Sequence, residues 1–225
     1  MQNYKEVFSN SVYMRGFLNS IIVSVCQVCI VMISSLLAGY QLSKGKMKHS
    51  QEIMLTLLFM TSLPVLSIMV PVYQMFLMLH VVDNMVALIL FMSAAAIPYA
   101  IWMSKNFFDA ISNDLLEAAL VDGASKLQCL VKIILPLMKP GILTVAVHTF
   151  IGSWGNFFVP FILLVDDQKF TASINIYRFF SMEGDVLYGQ IAAYSVLYSI
   201  PVVVLYFFVQ SHMSKGFALE GASKG

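Results

Sequence analysis

Charge is what this chain has least of. Only 11% of its 225 residues are Asp, Glu, Lys or Arg, against about 25% in an ordinary soluble domain. A water-soluble globule of this length could not cover its surface with so few, so the shortage excludes that class. The net charge of +1 gives no case for nucleic acid or a polybasic lipid anchor. Cysteine is scarce too. Cys26, Cys29 and Cys129 form no disulfide framework. The CxxC spacing of the first two lies inside an apolar run with no second ligand pair, where two small hydrophobes a helical turn apart are expected. There is no zinc-protease HExxH and no phosphate-cradling GxxxxGK[ST]. Nor is there a signal-peptide pattern, since residues 1–16 are polar and the first apolar run starts late and runs long.

What the chain does have is hydrophobic residues, 59% of the total. Five stretches, roughly 17–42, 53–76, 84–104, 140–165 and 188–211, supply the ~20 apolar residues that a membrane-crossing helix needs. They predict an all-α polytopic membrane protein, kinked at Pro64, Pro71, Pro98, Pro160 and Pro201. If the spans alternate, Lys44, Lys46, Lys48, Lys105, Lys126, Lys132, Lys139, Lys215 and Lys224 share one face. Lys5, Arg15, Lys169 and Arg178 take the other. The positive-inside rule then places the 43–52 loop, the 105–139 segment and the C-terminus in the cytoplasm. That orientation exports a polar N-terminal segment, 1–16, for which the simplest explanation is a further upstream helix lost to truncation or a late start codon.

A second absence concerns energy. No Asp, Glu, Lys or Arg falls inside the five span cores, so the carboxylate relay of a proton-coupled carrier is missing. His148 is the one candidate, and beside Thr144 and Thr149 it is expected to hydrogen-bond a neighbouring helix. No paired carboxylates or Ser–His arrangement support a membrane-embedded enzyme, and no catalytic residue or metal ligand is expected. Uphill movement of a solute would draw its drive from another subunit.

One stretch breaks the apolar pattern. DLLEAALVDGASKLQCLVKIILPLMKP, residues 114–140, reads as two short helices around a glycine corner. Asp114 and Glu117 have the spacing of a capping box, and so do Ser125 and Gln128. Glu117 lies where the helix macrodipole favours a negative charge, and Ala118 and Ala119 keep that turn slim. Gly123 suits the left-handed position that ends a helix. Leu127, Leu130, Val131 and Ile134 follow a 3–4 spacing that predicts one buried stripe, and Pro136 and Pro140 close the second helix. The expected product is a rigid hairpin, at about 112–136, shaped to dock on a cytoplasmic partner; a plain connector is the competing reading.

Glu117-Ala118-Ala119, then Gly123 after three intervening residues, then Ile133-x-Leu135-Pro136 after nine more, resembles the EAA loop of ABC importer permeases at every motif position. Beyond the motif, NYKEVF, RGFLNS, IPYAIWM and SWGNFFVPFILL resemble the carbohydrate-uptake branch, and within it the second, maltose-type permease subunit. The resemblance implies a MetI-like transmembrane domain over 17–211, five visible spans without the family's first helix, and a cytoplasmic tail over 212–225. It implies residence in a bacterial plasma (inner) membrane and import of a sugar or oligosaccharide. Its implied partners are a second homologous permease, an ATPase dimer and an extracytoplasmic solute-binding protein. The chain itself would need no cofactor, since ATP and Mg would be held by the partner ATPase.

The residues carried over to ATPase coupling are Glu117, Ala118, Ala119, Asp122, Gly123, Ala124, Ile133, Leu135 and Pro136, with Glu117 expected to meet a basic groove residue. Ser112 stands where many relatives carry proline. Trp154, Asn156 and Phe157, expected mid-span, form a candidate substrate path, although the run here lacks the acidic residue that many relatives have near the tryptophan. The loop 166–187 is long enough to touch a binding protein; a solvated connector is the alternative. A permease for amino acids, peptides or another small solute, and more remotely a secondary carrier, remain as alternatives.

Overall fold

The computed structural model describes residues 2–45, 47–179 and 188–222, with side chains of the last segment through Gln210. Residues 180–187 of the expected outer loop, Lys46, Lys224 and the side chains of the expected tail 212–225 lie outside the described residues. All regular structure described is helical. In chain order the helices are α1 (Gln2–Ser9), α2 (Ser11–Lys44), α3 (Ser50–Thr61), α4 (Val65–Met78), α5 (Met85–Asp109) and α6 (Asn113–Val121). There follow α7 (Lys126–Leu137), then α8 (Lys139–Trp154), α9 (Phe158–Leu163), α10 (Ala172–Arg178) and α11 (Tyr188–Ala222). Among the described residues α2, α5 and α11 are each long and apolar enough to cross a membrane, and the count reaches five if each of two bent pairs, α3 with α4 and α7 with α8, is one span. Helices run unbroken through Pro71, Pro98 and Pro201; the chain breaks at Pro64 and ahead of Pro160.

The chain divides into two compact units, Met1–Val28 with Pro64–Ser93 and Thr149–Phe207, and Cys29–Leu63 with Ala94–His148 and Phe208–Gly225. In the first, Asn10 accepts from the Val12 amide at 3.0 Å and so opens α2, and Asn84 does the same for α5 through the amides of Val86 and Ala87. The segment 1–16 does not stand apart. Val7 of α1 is fully buried in a core with Ala172, Phe179, Ala193 and Tyr194, and this contact ties α1 down.

The expected outer loop is also tucked in over its described half. Thr171 to Asn175 are all buried, because polar side chains of α2 satisfy this backbone. Asn19 donates to the carbonyls of Gln168 and Phe170, and Ser20 accepts from the Ala172 amide at 2.8 Å. Irregular backbone survives among apolar helices only where protein groups pair it. A second knot lies at Asp83, which holds φ = 63°, a left-handed conformation that Asp tolerates. Its carboxylate accepts from the amides of Val165 and Asp166 at 2.9 and 3.0 Å and pairs with Lys169 at 2.5 Å. Burial opposes ionisation of Asp83, but the Lys169 ammonium and the two amides outweigh it and hold the carboxyl below its ordinary range; the same bond raises the Lys169 pKa.

In the second unit, Leu42, Met54 and Ile101 form one buried cluster. Phe108, Ile134 and Met138 form another, flanked by Leu36, Tyr40, Ile111, Leu116 and Leu130. The ends of α2 and α5 and the start of α8 thus share a core with α7. The approach of α8 is close: a Cβ on Gly141 would come within 2.5 Å of the Phe107 ring.

Candidate functional site

The hairpin is built from local signals that end each helix sharply. α6 starts two residues earlier than the Asp114–Glu117 spacing predicts. Ser112 is its N-cap, its hydroxyl accepting from the Asp114 amide at 3.1 Å, so a short hydroxyl beside the chain takes the role expected of the Asp114 carboxylate. Glu117 is therefore not consumed in a cap. It is exposed, and no intrachain salt bridge engages it among the described residues. At the other end Gly123 adopts φ = +86°. The Gly123 amide donates to Leu120 O at 3.1 Å and the Ala124 amide to Ala119 O at 2.9 Å, the paired closure of a Schellman cap.

Ser125 then opens α7 with a complete capping box, the Gln128 amide donating to Ser125 Oγ and the Ser125 amide to Gln128 Oε1 at 2.8 Å.

The expected single stripe on α7 is not what forms. Ile134 is fully buried and Leu130 is packed against the core, but Leu127 is 69% exposed and Val131 52%. The stripe is interrupted by a π turn over Leu130–Ile134, where the Leu135 amide donates to the Leu130 carbonyl five residues back. In an α-helix the ring of Pro136 would meet the carbonyl of Lys132, and the widened turn removes that conflict. The extra residue resets the periodicity beyond Cys129, and Cys129, Ile134 and Met138 are the buried positions. Leu127 and Val131 are left facing out, as are Leu120 and Val121 of α6, the latter 87% exposed.

The motif residues divide accordingly. Glu117, Ala118, Asp122, Gly123 and Pro136 are exposed, while Ala124, Ile133 and Leu135 are partly buried. Ala119 is buried, so of the two slim residues only Ala118 lies on the free face; neighbours on a helix are turned ~100° apart. The hairpin gathers all nine into one element.

Sequence reasoning missed what mounts it. Lys44, the last residue of α2, donates to the Ile111 carbonyl at 2.6 Å and to Asn113 Oδ1 at 2.9 Å. Asp109, the last residue of α5, accepts from Ser43 Oγ at 2.6 Å and pairs with Lys105 at 2.6 Å. In the sequence Lys44 bears only on orientation; nothing there signals its contact with Ile111, because the pair is 67 residues apart.

Trp154, Asn156 and Phe157 belong to the other unit, and they sit at a break rather than mid-helix. α8 ends at Trp154, and Asn156 Oδ1 accepts from the Val159 amide at 3.1 Å to start α9, with Pro160 in the new helix's first turn. Trp154 is 2% exposed; its indole donates to Tyr198 O at 3.1 Å, and Tyr198 Oη donates back to Trp154 O at 2.6 Å. Phe157 stacks on Phe161 and meets the Tyr177 ring at a tilt. All three are engaged by their own chain.

Apolar helices of spanning length, broken spans and a capped hairpin fastened to two helix ends define a multi-pass membrane protein of the transport type. The family model described as "Binding-protein-dependent transport system inner membrane component" matches residues 30–218, and the chain belongs to that family. It is similar to the inner membrane ABC transporter permease protein YcjP of Escherichia coli, 27% identical over 98% of this chain and 79% of that protein. The maltodextrin transport system permease protein MalD of Streptococcus pneumoniae is 26% identical over 99% and 79%. The trehalose/maltose transport system permease protein MalG of Thermococcus litoralis is 30% identical over 100% and 81%. A crystal structure of a bacterial ABC transporter involved in import of the acidic polysaccharide alginate aligns with a TM-score of 0.80, at 23% identity over 93% of this chain and 78% of that one. That likeness establishes the MetI-like permease fold.

Proposed function

We propose that this chain is one of two permease subunits of a sugar or oligosaccharide importer, and that its hairpin inserts into a groove of a partner ATPase. The observation that carries the reading is the hairpin's two-sidedness. One face of α7 is locked into the second unit's core through Leu130 and Ile134, with Met138 just past its end, while Leu120, Val121, Leu127 and Val131 stay exposed beside Glu117 and Ala118. Exposed apolar side chains on a rigid, charged-rimmed element are what a partner groove takes up. ATP and Mg would sit in that partner, whose closure on ATP binding favours one packing of the permease helices over another. The hairpin and the C-terminus would face the cytoplasm, and a solute-binding protein would deliver the sugar on the other side.

Support for a sugar comes from relatives named for maltodextrin, trehalose/maltose, diacetylchitobiose and arabinooligosaccharides. The test is assembly and turnover. The complete transporter in proteoliposomes should show ATP-dependent uptake of at least one of maltotriose, arabinotriose or diacetylchitobiose, and Glu117→Lys should abolish uptake and weaken retention of the ATPase. Uptake unchanged by Glu117→Lys would count against docking through this hairpin; uptake confined to amino acids or peptides would count against the sugar.

A further inference from the structure

His148 has no role in the hairpin, and its sequence context predicts a bridge between two helices. It lies nine residues beyond Lys139 on α8, roughly 14 Å along the axis from the last charge before that apolar stretch, or about half of a ~30 Å hydrocarbon core. Val145 and Thr149 beside it are buried, yet His148 is exposed. Its ring lies 4.9 Å from that of Tyr99 on α5, and Tyr99 lies 5.5 Å from Trp102. One turn before Tyr99 on the same helix face stands Ala95, small and exposed, so the large ring neighbour of Tyr99 on its own helix, Trp102, lies to its C-terminal side.

An imidazole at mid-depth is costly against lipid and belongs in a water-filled cavity or a protein interior. A half-buried aromatic ring beside an exposed hydrogen-bonding ring is also the pairing that a pyranose needs, with its apolar C–H face and its rim of hydroxyls. We propose that Tyr99 and His148 line the translocation path and contact the passing sugar, Tyr99 through its ring face and His148 through a hydroxyl of the sugar. The assignment rests on the sugar reading given above. It places the contact in the second unit; Trp154 belongs to the first, and its polar atoms are already committed.

The test uses the complete transporter in proteoliposomes with Cys26, Cys29 and Cys129 replaced by serine or alanine. His148→Cys should react with a small water-borne methanethiosulfonate severalfold faster than Ile33→Cys, placed at an exposed α2 position. Whichever of the three oligosaccharides is transported should slow that reaction severalfold. His148→Phe should raise the half-saturating sugar concentration about 5- to 10-fold. An unchanged half-saturating concentration would overturn the sugar contact. Normal uptake by a His148→Cys transporter whose new thiol does not react overturns the lining and makes His148 a contact of the partner permease. If none of the oligosaccharides is taken up even by the unsubstituted transporter, the substrate class itself fails, and with it the sugar contact.

Discussion

The ammonium of Lys44 donates to the carbonyl of Ile111 at 2.6 Å and to the side chain of Asn113 at 2.9 Å. One cation at the end of α2 therefore holds the stretch of chain that leads into the hairpin. Lys44→Met should leave two acceptors unmatched and lower thermal stability by about 1–3 kcal/mol. Its larger effect should be on coupling, with ATPase activity retained and uptake reduced. Paired measurements of ATP hydrolysis and sugar uptake per transporter check this, and Lys44→Arg should restore part of the coupling.

Gly123 separates backbone strain from crowding. Its φ of +86° is left-handed, yet a Cβ there would meet nothing within 4 Å. Gly123→Ala should therefore cost only the backbone term, roughly 1–2 kcal/mol, and Gly123→Asn less than that. Gly123→Val, β-branched and poorly suited to the left-handed region, should uncouple hydrolysis from uptake. Full coupled transport by Gly123→Val would refute the docking role of the corner.

The two faces of α7 predict opposite phenotypes from one helix. Ile134→Ala empties a fully buried site and should destabilise the protein by about 2–5 kcal/mol. Leu127→Ala, at an exposed position, should leave the melting temperature of the isolated permease nearly unchanged. It should instead reduce retention of the ATPase in a pull-down from detergent.

Asp83 gives the pH dependence. Its carboxyl is held below its ordinary value of about 3.9, so its contribution to stability is complete above that value and lost as pH falls through the lower folded value. Asp83→Asn keeps an acceptor for the Val165 and Asp166 amides but loses the ion pair with Lys169. The variant should melt slightly earlier at pH 6 and converge with the parent as pH drops below about 3.9. Thermal unfolding across that range checks the convergence.

Composition and periodicity made the class, the spanning stretches and the hairpin legible, because long apolar runs and capping spacings act over a few residues. Ser125, Gln128 and Gly123 do what their local chemistry dictates. What stayed hidden depends on tertiary geometry. The break after Trp154 could be read only by knowing that Asn156 would cap a new helix. The burial of Thr171 to Asn175 requires Asn19 and Ser20, about 150 residues away in sequence, to satisfy that backbone. The α7 stripe departs from its expected place because Pro136 goes with a widened turn, which breaks the 3.6-residue period.

That widened turn makes the length of the Gly123–Ile133 stretch a mechanical constant. Each residue advances a helix by about 100°, so the nine positions between the corner and Ile133 set which side chains look inward and which look out. Changing the chemistry of an exposed position there alters only the grip on a partner. Removing one residue would turn the helix past its own anchor, bringing groove-facing side chains into the core and core side chains to the surface.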